Sequence, residues 1–123
     1  MMNELKIGDI FYQKVCSADF YQIVGITEKS VKFIHIAKEY ISRDEYEMIY
    51  EVKPISDKVY EGKVSVRKNG GYGSADYDEK PLIKRLSSYN SDGDCFYGKH
   101  HYESLHRYIG DIIKEDFASA LLR

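Results

Sequence analysis

From Gly8 to Ile36 the chain runs GDIFYQKVCSADFYQIVGITEKSVKFIHI, and apolar side chains recur there at nearly every second position. Ile10, Tyr12 and Val15 mark a first segment, with Phe11 beside them. Phe20, Tyr21, Ile23, Val24 and Ile26 mark a second. In the third, Val31, Phe33 and Ile36 are broken by Lys32 and His35, with Ile34 the exception. A period of two is the mark of a strand with one wet face, and β-branched and aromatic residues suit a pleated surface. Adjacent apolar pairs such as Ile23-Val24 predict that both faces are partly covered, as where a sheet curls into a small barrel. The connections Cys16–Asp19 and Thr27–Ser30 are short and polar and fit hairpins. Gly25, inside the second strand, marks a bend or bulge.

Beyond Ile36 the pattern is more mixed. Ala37–Tyr46 (AKEYISRDEY) is charged and reads as a loop or a short helical turn. Met48–Ile55 reads as a fourth strand whose end is set by Pro54, with a turn at Ser56-Asp57. Lys63–Lys68 alternates as a fifth strand, and Asn69-Gly70-Gly71 is a strong turn signal. Gly71–Pro81 is polar, glycine-rich and acidic, and reads as a mobile loop. Leu82–Tyr89 reads as the last long strand, Asn90–Asp94 as a turn, and Phe96–Lys99 as a final short strand.

From Tyr102 the period changes. Leu105, Tyr108, Ile109, Ile112, Ile113, Phe117 and Leu121 fall at steps of three or four, which predicts an amphipathic helix over 102–122. Gly110 inside it costs about 1 kcal/mol relative to alanine. The apolar stripe would either cover the barrel or meet another copy of the chain. The expected fold is α+β, mainly β. It is a single domain over 1–123, with a strongly bent antiparallel sheet or SH3-like small barrel of five to six strands over 7–99, followed by that helix.

Composition narrows the function. The chain has 123 residues, enough for one domain that buries its own core. Eighteen basic against twenty acidic side chains leave a net charge of −2, so no global field draws it to nucleic acid or an acidic membrane. No apolar run is long enough for a membrane helix and no apolar signal core opens the sequence, so cytoplasm is expected. The two cysteines, Cys16 and Cys95, lack CxxC spacing and are expected to be reduced. Twelve tyrosines and no tryptophan are unusual. Tyrosine fills and rims small barrels, and it is also enriched at binding surfaces.

Candidate chemistry is thin. Cys95, His100, His101, Glu103 and His106 form the densest set of metal-ligand types, but His101 and His106 are five apart and point to different sides of a helix. Solvated or capping histidines at a helix start are the favoured reading. Asp76, Asp78 and Glu79, or Asp92 and Asp94, lie in loop-like stretches with nothing to hold paired carboxylates rigidly. No nucleophile elbow or phosphate loop is present. Catalytic residues, metals and cofactors are therefore expected to be none. Lys63, Arg67, Lys68, Lys80, Lys84 and Arg85, interleaved with Tyr72 and Tyr77, would suit a single strand of nucleic acid. The acids Asp76, Asp78 and Glu79 in the same stretch weigh against it, and direct nucleic-acid binding is the less favoured alternative.

Three strings carry a family resemblance: Gly8–Tyr12, Asp19–Val24 and Lys29–Val31. With Val52–Pro54, Asp57, Gly62 and Arg67-Lys68 they resemble small accessory proteins of phages and other mobile elements. Ser88-Tyr89 and Phe96–Lys99 resemble that family's late segment, with Phe-Tyr here where Trp-Asp is usual. The resemblance spans roughly 7–99 and brings no catalytic motif. It implies a non-enzymatic protein that disables a host factor in the bacterial cytoplasm. Anti-CRISPR proteins that block the type II effector Cas9 are similar in size and charge. On that expectation an acidic, tyrosine-bearing loop (Tyr72, Asp76, Tyr77, Asp78 and Glu79) would enter the nuclease's basic channel.

Overall fold

The computed structural model describes residues 4–14, 17–61, 63–68, 71–76, 81–98 and 104–116; between 63 and 76 it gives the backbone pairing. Its strands are β1 (Ile10–Lys14), β2 (Ala18–Ile26), β3 (Ser30–Asp44), β4 (Ile49–Val59), β5 (Lys63–Lys68), β6 (Gly71–Asp76), β7 (Leu82–Arg85), β8 (Tyr89–Asn90), β9 (Cys95–Phe96), β10 (Leu105–Arg107) and β11 (Ile113–Asp116). All pairings are antiparallel. The main sheet runs β11-β4-β3-β2-β1-β10-β9-β8, with β7 added to the start of β3, and β5–β6 form a separate hairpin. As described, the sheet is open, ending at β11 and β8. No described helix is long and apolar enough to cross a membrane.

The alternation read from Gly8 to Ile36 builds this core directly. On one face Phe11, Ile23, Val31 and Phe33 gather with Phe96 and Leu105. Phe11, Phe33 and Phe96 meet edge to face with centroids 5.3–5.7 Å apart, the favoured geometry for ring quadrupoles. On the other face Ala18, Phe20 and Ile36 gather with Val52 and Ile113, flanked by Ile10, Tyr12 and Tyr108. Neighbours in sequence such as Phe11-Tyr12 thus serve opposite clusters, as the doubled apolar positions predict. Ile23-Val24 behaves differently. The register shifts between Ile23 and Gly25, and this bulge turns Val24 outward, leaving it 41% exposed.

The Thr27–Ser30 turn closes as expected, with the Ser30 amide donating to Thr27 Oγ1 at 3.1 Å. The next segment departs from expectation. Ala37–Asp44 is neither loop nor helical turn; it extends β3 into a 15-residue strand. β4 likewise runs past Pro54. It skips register between Ile36↔Val59 and Lys38↔Pro54, throwing out a bulge that contains Asp57 at φ 63°. Buried Gln22 holds that bulge. Its side-chain amide donates to Ser56 Oγ (3.0 Å) and to the Gly8 carbonyl (3.1 Å), while its oxygen accepts the Asp57 amide (2.8 Å). The expected strand Leu82–Tyr89 is broken by a 3-10 turn at Leu86–Ser88.

Over the described residues 104–116 the expected C-terminal helix is absent. In its place stand β10 and β11, separated by Gly110 at φ +96°, a conformation that ends any regular element. Residues taken for one apolar stripe go different ways. Leu105 joins the first cluster, Ile113 and Tyr108 the second, and Ile109 and Ile112 lie exposed. Phe117 and Leu121 are outside the described residues. Two short strands around a turn can thus satisfy the same three-and-four spacing, and a helical dimer face no longer exists over 105–113.

Candidate binding surface

Three clusters of polar side chains tie distant parts of the chain together. In the first, Arg107 of β10 lies over the Phe11 ring at 5.0 Å. It donates to Asp94 Oδ2 (2.6 Å), Asp9 Oδ2 (2.8 Å) and the Glu4 carbonyl (3.1 Å). Burial works against its charge, but the bonds to Asp9, Tyr89 and Asp94 prevail and hold the guanidinium more firmly protonated than usual. Tyr89 donates to Asp94, and its own hydroxyl is pushed up by burial and then by that carboxylate.

In the second cluster, Glu115 of β11 is fully buried. Its Oε2 accepts the Lys38 ammonium (2.5 Å) and the Ala18 amide (2.7 Å), and Lys38 also donates to the Ala18 carbonyl (2.8 Å). Oε1 has no hydrogen-bond partner among the described residues. Burial pushes the nearby Tyr40 hydroxyl up, with Lys38 and Glu115 pulling on it in opposite directions.

In the third, buried His35 is stacked between Tyr60 (4.2 Å) and Tyr21 (4.9 Å), with Nε2 3.5 Å from Asp19 Oδ1. Burial acts to raise the Asp19 carboxyl. The hydrogen bond and charge of His35, with Lys38 behind, outweigh it and hold the carboxyl below the usual range. In each cluster an acid is joined to a base, Glu115 Oε1 being left without a partner among the described residues, and these contacts fasten distant strands together.

The residues nominated from sequence are dispersed. Cys95 sits buried in β9, its thiol pushed up by burial, and opposite it in register is His106, exposed and packed 6.0 Å from Tyr12. His100, His101 and Glu103 are outside the described residues, and no group of three metal-ligating side chains forms among those described. Tyr72 and Asp76 fall in β6, in register with Arg67 and Lys63, so the stretch read as a loop is a strand at least to Asp76. Tyr77, Asp78 and Glu79 lie outside the described residues. The basic run is divided: Lys63, Arg67 and Lys68 belong to the separate hairpin, Lys84 and Arg85 to β7 on the main sheet, and Lys80 lies outside the described residues.

Sequence reasoning missed the outer part of the β3–β4 hairpin. Past Ile36, β3 leaves β2 and continues with β4 alone to a turn at Glu45–Met48. The Asp44 carboxylate caps that turn by accepting the Glu47 amide at 3.0 Å, and Met48 takes φ 58°. Tyr46, at the tip, is 98% exposed. Behind it Tyr40 meets Tyr50 edge to face at 5.9 Å, and Arg43 lies over Tyr40 at 4.3 Å. Ser42 donates to Glu51 at 2.8 Å, and Lys53 pairs with Glu39 at 3.1 Å. Hollows of about 310 and 250 Å³ share Tyr40 as a wall. Between Glu39 and Lys53 there are five carboxylates and two cations, so the arm is acidic. The cue lay in Tyr40-Ile41, a strong β-former pair ahead of the turn-forming Asp44.

Compared with protein-family models, curated proteins and solved structures, the chain gives no match.

Proposed function

We propose that this protein acts by binding, without turnover, as a phage or mobile-element inhibitor of a host nuclease. Cas9 or its guide-RNA complex is the first partner to test. The observation that carries the reading is the acidic β3–β4 arm with Tyr46 fully outside the fold. A protruding aromatic ringed by carboxylates suits a basic nucleic-acid channel: charge speeds encounter, and a buried ring supplies affinity. The resemblance to mobile-element accessory proteins supplies the class of partner, and bacterial cytoplasm follows as the place of action. The arm offers the same acidic, tyrosine-bearing chemistry that was expected of Tyr72–Glu79.

The test is size-exclusion chromatography with light scattering, run on the protein alone and with guide-loaded Cas9, together with a DNA-cleavage assay. Co-elution and slowed cleavage are expected, and the free protein's mass reports whether it self-associates. Separate elution with cleavage unchanged at micromolar protein would overturn the Cas9 assignment. Salt-sensitive affinity for DNA or RNA alone would move the reading to a nucleic-acid-binding module.

A further inference from the structure

We infer that the outer edge of β3, residues 39–44, is a strand-addition site for an extended, lysine- or arginine-rich segment of a partner protein. The inference rests on the binding reading above only in taking a protein as the occupant.

Among the described residues the topology leaves this edge open. β2 and β7 both pair with β3 around Val31–Phe33, so they flank opposite edges. β4 and β2 both meet Ile36, so they too are on opposite edges. β2 therefore covers one edge of β3, and its last pair is Phe20↔Ile36. Beyond it no described strand pairs with that edge, while β4 holds the opposite edge as far as Asp44. Alternate amides and carbonyls of residues 39–44 consequently point away from the sheet. An unpaired row of this kind is a template for another strand. β11 pairs with the far side of β4 at Ile49–Val52 and stiffens the arm from behind. Lys38 cannot neutralise the arm, because its ammonium is committed to Glu115 and the Ala18 carbonyl.

Charge chooses the occupant. With five carboxylates against two cations from Glu39 to Lys53, two copies would bring together arms of the same sign. The register shift between Tyr40 and Ser42 bends the edge further from the flat form that self-pairing needs. A basic strand meets the net negative charge of the arm, carried nearest the edge by Asp44, Glu45 and Glu47 against Arg43, and its aromatic or aliphatic side chains reach Tyr40 and Ile41, both more than 40% exposed.

The test uses the full-length ¹⁵N-labelled protein with a ten-residue peptide alternating lysine with valine and threonine, and a counterpart with glutamate for lysine. The lysine peptide is expected to shift the amide signals of residues 39–44 and to slow hydrogen exchange at alternate amides among them. The glutamate peptide is expected to do neither. Asp44→Lys, Glu45→Lys and Glu47→Lys together, all exposed, should weaken binding about tenfold at low salt. Lysine-peptide binding elsewhere, equal response to both peptides, or no response at millimolar peptide would overturn the inference. So would a free protein of twice the chain mass whose residues 39–44 are already protected, since a second copy would then own the edge. Nuclease inhibition without edge protection removes this site and leaves the function standing; edge protection without inhibition does the reverse.

Discussion

Glu115→Ala is the most discriminating single perturbation of this fold. The carboxylate is fully buried and takes two charge-assisted or backbone hydrogen bonds, from Lys38 at 2.5 Å and from the Ala18 amide at 2.7 Å. Its removal strands a buried N–H, a loss of about 1–3 kcal/mol. It also leaves an ammonium without its counter-ion. Removing one partner of a buried pair costs about 3–5 kcal/mol in all. Lys38 keeps 14% of its side chain exposed and can turn toward water, which places the expected loss near the lower end, about 3 kcal/mol. A domain of this size holds roughly 5–15 kcal/mol in total, so the variant folds but melts some 10 °C lower. Glu115→Gln keeps an acceptor for Ala18 and gives up only the charge, and should lose about half as much. Urea unfolding followed by far-UV circular dichroism measures both, and adding Lys38→Met to Glu115→Ala should recover part of the loss. A Glu115→Ala variant within about 0.5 kcal/mol of the parent would refute the claim that this pair holds β11 to β2 and β3.

Three further outcomes are expected. Phe96→Ala, which empties the centre of the three-ring contact, should cost about 3–5 kcal/mol in the same assay. Gly110→Ala has free space for its methyl group but not for its φ of +96°, and should cost about 1–2 kcal/mol by calorimetry; a neutral result would deny the turn between β10 and β11. Asp19 has a lowered carboxyl pKa in the folded state, so its stabilising share is present above the ordinary carboxylate range and is lost as pH falls through the folded value. Asp19→Asn should therefore lower stability at neutral pH and flatten the fall of the stability–pH curve below about pH 4, so that variant and parent converge in acid.

What the sequence disclosed depended on how local the determinant was. β1, β2 and the first half of β3 are legible because each is set by its own alternation, and their pairing as far as Ile36 follows that reading. Glu115 is a charged residue that is fully buried. Nothing nearby signals its burial, since its partners Lys38 and Ala18 lie 77 and 97 positions away. The segment after Tyr102 differs for a related reason: spacing of three and four predicts one helix, whereas Leu105 and Ile113 are claimed by two different cores. The β3–β4 arm was hidden because its side chains answer to solvent, which removes the alternation that marks a strand. The described residues show a second acidic, tyrosine-bearing segment at Asp44–Glu47, while Tyr77, Asp78 and Glu79 of the segment read from sequence lie outside them.

The placement of β10 and β11 has a kinetic consequence. β1 is paired on one side by β2, a few residues away, and on the other by β10, with Asp9 and Arg107 joined across 98 positions. As the chain leaves the ribosome, the first three strands can form hairpins early, yet both of their apolar faces stay uncovered until Phe96, Leu105 and Ile113 have been made. At about 5–20 residues per second that interval lasts several seconds. Closing such distant pairs is also slow in itself, in the millisecond-to-second range of β-rich topologies. Nascent chains stalled before residue 105 should therefore be the species that chaperones hold, and completion of the last dozen described residues should release them.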